Sequence, residues 1–148
     1  MLRVAAHPIV AARHGITYAD GSRRTRVSDA ELEYREYRPG QVIFAQGEMG
    51  EEGYIVQSGK VEIAVGDGVA ELVVAVVGEG ELVGEMALVD RAERMATARA
   101  MTKTTCIVVP KRIFDRVLKQ SNPIVVAMLN TLMRRLRSES GASIKKTL

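Results

Sequence analysis

A single cysteine, Cys106, stands in this chain of 148 residues, so no internal disulfide forms and no Cys-based zinc cluster is available. No apolar run approaches the roughly 18 residues that a membrane-spanning helix needs, and no membrane contact is expected. The N-terminal apolar stretch is broken by His7 and Pro8 and again by Arg13, which does not read as a secretory leader. His7 and His14 have no carboxylate or thiol at ligand spacing, so no metal site is expected. No Ser/His/Asp or Cys/His set stands in the body of the sequence, and no pair of carboxylates marks a cleft; the chain does not read as an enzyme. Cytoplasm is the expected compartment.

What is present is an ordinary globular composition, 47% apolar and 26% charged. The length suits one domain, with enough chain to bury about two-thirds of its surface without staples. The formal net charge of +3 is unevenly spread: residues 1–30 carry +3, residues 31–110 carry −7 and residues 111–148 carry +7. An acidic middle argues against nucleic acid lying across the body of the domain.

Residues 1–30 have no sustained period and read as an arm, loose or partly helical, with Ser28 or Asp29 as a cap for a turn through Glu31 and Leu32. A domain is expected over residues 31–140. Within it, short apolar runs separated by glycines occupy about 37–110: 41–45, 53–57, 60–65, 71–77, 95–100 and 104–109. β-rich runs at such spacing predict a barrel or jelly-roll sandwich, with Gly66-Asp67-Gly68 as a hairpin signal. After Pro110 the period becomes helical. Ile113, Phe114, Val117 and Leu118 share one face, Asn122 and Pro123 read as the cap and first residue of a second helix, and Val125, Leu129, Leu132 and Leu136 form a narrow seam. Ser140-Gly141 is expected to end that helix, leaving 141–148 as a frayed tail. Cys106, inside an apolar run, reads as a packing residue.

The chemistry concentrates in Gly84-Glu85-Met86-Ala87-Leu88-Val89, followed by Arg94-Met95-Ala96-Thr97. The first part suits one helical turn, whose leading N–H groups have no partner one turn back and can face an anion. Gly84 lets backbone approach a ligand closely. Arg94 offers a planar fork of donors that matches phosphate oxygens. Glu85 only accepts, which suits sugar hydroxyls rather than phosphate. An anion cradle, an arginine and a carboxylate together suggest a nucleotide.

These residues resemble the cyclic nucleotide-binding domain shared by catabolite activator proteins, cyclic-nucleotide-dependent kinases and cyclic-nucleotide-gated channels. The likeness runs from about Tyr37 to Arg137 and includes Pro39-Gly40, Ile43-Phe44, Gly47, Tyr54-Ile55-Val56 and Ser58-Gly59-Lys60-Val61 besides the cassette. It implies a mainly β fold, an eight-stranded jelly-roll-like barrel with C-terminal helices and a short phosphate-binding helix. It also implies that Arg94 pairs with a cyclic phosphate beside the amides of Met86 and Ala87. Glu85 would then take the ribose 2′-hydroxyl, with Gly84 lining the same side. Ile63, Val74 and Val77 become walls for the base, with Met95 and Ala96 next to the arginine. Glu139 and Ser140, just past Arg134-Arg135-Leu136, become contacts to the base. Met95 lacks the hydroxyl that cyclic-GMP-selective members place after the arginine, which tilts the ligand toward cyclic AMP, with cyclic GMP second.

The expectation is therefore a free-standing bacterial cyclic-AMP sensor that acts on a separate protein effector through ligand-induced movement of its C-terminal helix. The leucine-rich seam either packs on its own barrel or pairs with a second subunit. Two other readings compete. A scaffold would bind its partner regardless of nucleotide, and a nucleic-acid regulator would use the basic tail, although a solvated helix face accounts for those charges more simply. Glu85 and Arg94 also fit a plain surface salt bridge.

Overall fold

The structure, a computed structural model, describes residues 11–12, 15–16, 31–90 and 92–147. Most of the arm, including the Ser28/Asp29 cap, lies outside the described residues. Within it, β1 (Ala11–Ala12) pairs with β2 (Gly15–Ile16), antiparallel. The chain divides into two units, residues 1–111 and 112–148.

Among its described residues the first unit holds eight further strands: β3 (Glu33–Tyr37), β4 (Val42–Phe44), β5 (Glu52–Ser58), β6 (Val61–Gly66), β7 (Glu71–Val77), β8 (Leu82–Val83), β9 (Thr97–Ala100) and β10 (Thr104–Pro110). A short helix, α1 (Met86–Asp90), lies between β8 and β9. The strands form two four-stranded antiparallel sheets, ordered β3-β10-β5-β8 and β4-β9-β6-β7. Successive strands alternate between the sheets except at the β6–β7 hairpin, so the chain winds as a jelly roll. The core lies between the sheets, where Tyr37, Phe44, Tyr54, Val56, Val61, Val83, Ala98, Ala100, Cys106 and Val108 form one buried cluster. Cys106 is fully buried there, as its apolar strand implies.

Three sequence expectations need correction. The sheets are not closed into a barrel and begin before residue 37, because Glu33–Tyr37 is a strand paired with β10; as an edge strand it buries only Tyr37, so its pattern carries no alternation. The run at 95–100 becomes extended only at Thr97. Met95 lies before the strand because Arg94 is still tied to the β4–β5 loop by two main-chain hydrogen bonds.

The second unit carries α2 (Lys111–Lys119), which begins at the boundary, and α3 (Pro123–Thr147). Asn122 caps α3: its side-chain oxygen accepts from the Ile124 amide at 2.9 Å and its carbonyl from Val126 at 3.1 Å. The third correction is at the other end. The helix passes through Gly141 and continues to Thr147, because a glycine inside a helix costs only about 1 kcal/mol relative to alanine and does not stop it. On α3 the seam residues Val125, Leu132 and Leu136 are exposed, as are Ile124 and Met128. No helix among the described residues is long and apolar enough to cross a membrane.

Candidate functional site

The site is built from two stretches of chain that the jelly roll brings side by side. The first is the loop between β4 and β5, residues 45–51. Gly47 donates to the Arg94 carbonyl at 2.8 Å, Arg94 donates from its amide to the Glu48 carbonyl at 2.8 Å, and Met49 bridges to Glu93. This clamp fixes the main chain of Arg94. The second stretch is the cassette. Gly84 has φ +76°, a left-handed conformation that turns the chain from β8 into α1. Glu85 stands before the helix, and its carbonyl accepts from Leu88 at 3.0 Å. The amides of Met86 and Ala87, as at any helix start, have no carbonyl one turn earlier within the helix. Ala87 and Leu88 are buried, while Lys111 donates from Nζ to the Leu88 carbonyl at 2.8 Å, which secures the other end of α1.

Arg94 is the centre of the arrangement and is only 7% exposed. Nη1 donates to the Gly84 carbonyl at 3.0 Å and Nη2 to the Glu52 carbonyl at 2.7 Å. Its Cζ lies 4.1 Å from the centroid of the Phe44 ring, which in turn stacks on Tyr54 at 5.9 Å. Among the described residues no carboxylate forms an ion pair with it, so the plain Glu85–Arg94 salt bridge is not made. Burial pulls the guanidinium pKa below its ordinary value, against the opposing influence of Tyr54 and of the carboxylates of Glu48, Glu52 and Glu85. A buried cation held by carbonyls and an aromatic ring, with no anionic partner, is costly to maintain and favours an approaching anion.

Two of the three neighbouring carboxylates are engaged elsewhere. Glu48 accepts from the Ala45 amide at 3.2 Å. Glu52 takes two hydrogen bonds from Arg35, at 2.8 and 3.3 Å, and one from the Tyr54 hydroxyl at 3.0 Å. Glu85 is half-buried.

Of the other residues named from sequence, Met86, Met95 and Ala96 are half-buried next to the cassette. Ile63 and Val77 are half-buried and pack on the cluster that contains Phe44. Val74 lies apart from that cluster and is 54% exposed; it is the unpaired residue of a bulge, since Ile63 faces Ala75 while Ala64 faces Val73. Glu139 is exposed on α3, in the second unit, and Ser140 continues that helix. Sequence reasoning did not single out Gly50 or the Glu52 carbonyl, and it read Phe44 only as part of the fold.

Comparison with known proteins bears on this geometry. A family model, Cyclic nucleotide-binding domain, matches residues 34–121. The cyclic AMP receptor protein of Thermus thermophilus is 35% identical over 113 residues, which cover 74% of this chain and 52% of that protein. A cAMP-dependent protein kinase regulatory subunit of Mycosarcoma maydis is 35% identical over 100 residues, 64% of this chain and 19% of that one. Among solved structures, the EAL enzyme Bd1971 in its cAMP-bound form gives a TM-score of 0.66 at 31% identity, over 72% of this chain and 29% of that one. Its cGMP-bound form gives 0.64 at 30% identity, over 71% and 28%. The chain spans about half the length, or less, of these curated relatives.

Proposed function

The chain belongs to the cyclic nucleotide-binding domain family, and from that premise we propose that it is a cyclic-nucleotide sensor whose preferred ligand is cyclic AMP. The observation that carries this reading is Arg94: a desolvated guanidinium with two of its five N–H groups on main-chain carbonyls and no carboxylate partner among the described residues. Its remaining donors, with the amides of Met86 and Ala87, take the cyclic phosphate. Glu85 takes the ribose 2′-hydroxyl, and Gly84 lines the same side. Ile63, Val74 and Val77 wall the base, and Met95, which offers no hydroxyl to a guanine amino group, favours adenine.

The sensor acts in the cytoplasm on a separate protein, and its readout lies in α3, whose exposed seam of Val125, Leu132 and Leu136 offers a surface to an effector or to a second copy. Nucleotide shifts that readout only by the difference in its affinity for two states.

Calorimetric titration with cyclic AMP and cyclic GMP tests the proposal. Wild type is expected to bind cyclic AMP more tightly than cyclic GMP. Arg94→Ala should lose roughly 2–5 kcal/mol of binding free energy, since it leaves a buried phosphate unpaired. Glu85→Ala should weaken binding through the ribose alone, and Glu139→Ala tests the base contact read from the sequence. Folded wild type that binds neither nucleotide would overturn the sensor reading in favour of the scaffold.

A further inference from the structure

We infer that Phe44 is a positioning residue for Arg94: its ring fixes the plane of the guanidinium and thereby sets cyclic-nucleotide affinity, an inference that rests on the phosphate role proposed above for the arginine. Three observations converge. The guanidinium carbon sits 4.1 Å from the ring centroid, within the range of a cation–π contact, and the site is desolvated, where such contacts are strongest. The ring is itself held, buried at 7% exposure and stacked on Tyr54 at an interplanar angle of 26°. Finally, two glycines leave the room the arginine occupies. A Cβ at Gly50 would overlap Nε and Cζ of Arg94, and a Cβ at Gly84 would stand 2.6 Å from Nη1 and 2.9 Å from the Phe44 ring.

These contacts divide the work. The carbonyls of Gly84 and Glu52 grip the edge of the guanidinium through one N–H each of Nη1 and Nη2. In-plane hydrogen bonds alone let the group tilt, whereas a ring packed 4.1 Å from Cζ limits that freedom. An arginine fixed in advance loses less entropy when phosphate arrives, so the ring raises affinity without touching the ligand. An aliphatic side chain of similar bulk fills the core but presents no negative π-face.

The test is a double-mutant cycle read by calorimetry with cyclic AMP, with thermal melts run beside it. Phe44→Leu is made in wild type and in Arg94→Lys, which keeps the charge but lacks the planar group. In wild type the substitution should weaken binding about threefold to thirtyfold, and in the lysine background by no more than about twofold. Phe44→Tyr, which keeps the aromatic face, should bind like wild type. If Phe44→Leu does not fold, Phe44→Met makes the same comparison with a side chain that adapts to the core. Equal loss in both backgrounds means Phe44 does not act through the plane of the guanidinium and overturns the inference, as does unchanged or tighter binding by folded Phe44→Leu. Failure of wild type to bind overturns the sensor reading itself, a result distinct from the other two.

Discussion

Among the described residues, Arg94 is a buried arginine with no carboxylate in an ion pair. Arg35 is paired with Glu33 and Glu52, and Arg99 with Glu62 and Glu71, all on partly or fully exposed surface. The Glu52 cluster has a measurable signature. Burial alone would raise the Glu52 pKa, but hydrogen bonds from Arg35 and Tyr54 outweigh it and hold the carboxyl below its ordinary value. A group lowered on folding contributes stability that is present above its unfolded pKa, near 4.5, and is lost as pH falls through the folded value. Arg35→Ala should therefore cost most near neutral pH, and its deficit relative to wild type should narrow toward pH 3 in urea denaturation. A deficit independent of pH would mean that the Arg35–Glu52 pair contributes nothing. The cassette itself was legible in the sequence because its parts are contiguous: Gly84, Glu85 and Arg94 lie on one short stretch. The groups that hold Arg94 were not, since the Glu52 carbonyl is 42 positions away and Phe44 farther still. Only the fold brings them together.

The elements divide according to how much of their stability is local. β5, β6, β7 and β10 are runs of apolar or β-branched residues, the first three closed by turn glycines and β10 by Pro110, and the sequence placed each within a residue or two. Gly59, with φ +93°, sits where an added Cβ would strike the Lys103 carbonyl and Thr104, so the turn between β5 and β6 demands glycine. β3 and β8 were missed for a different reason. β3 has three charged residues among five and takes its place through pairing with β10, while β8 is only two residues long and exists through β5. Such strands are tertiary products, with no period to detect. The start of α3 is the opposite case, wholly local in the Asn122-Pro123 pair. Asn122→Ala should cost about 1 kcal/mol, seen as a lower midpoint in thermal melting followed at the helical signal. An unchanged midpoint would show that Pro123 alone sets the start of the helix.

At the scale of the molecule, a unit rich in sheet and acidic residues is followed by a basic helical one, and a sensor needs the second to feel what happens in the first. A ligand that binds only the folded state stabilises it by RT ln(1 + [L]/Kd), about 2.7 kcal/mol at a hundredfold excess over Kd. For a chain of 148 residues, this corresponds to a rise in melting temperature of roughly 5–10 °C. The informative quantity is which unit shows it. Sheet and helix have separable far-ultraviolet signals, and the two units share no strand, so each can be followed in the same melt. If nucleotide binding reaches α3, cyclic AMP should move both transitions upward together, and Arg94→Ala should abolish both shifts. If the sheet transition rises while the helical one stays where it was, the nucleotide is bound but not sensed by residues 112–148. Signalling through α3 would then be excluded even though the binding site is real, because a ligand with no differential affinity for the states of a helix cannot move it.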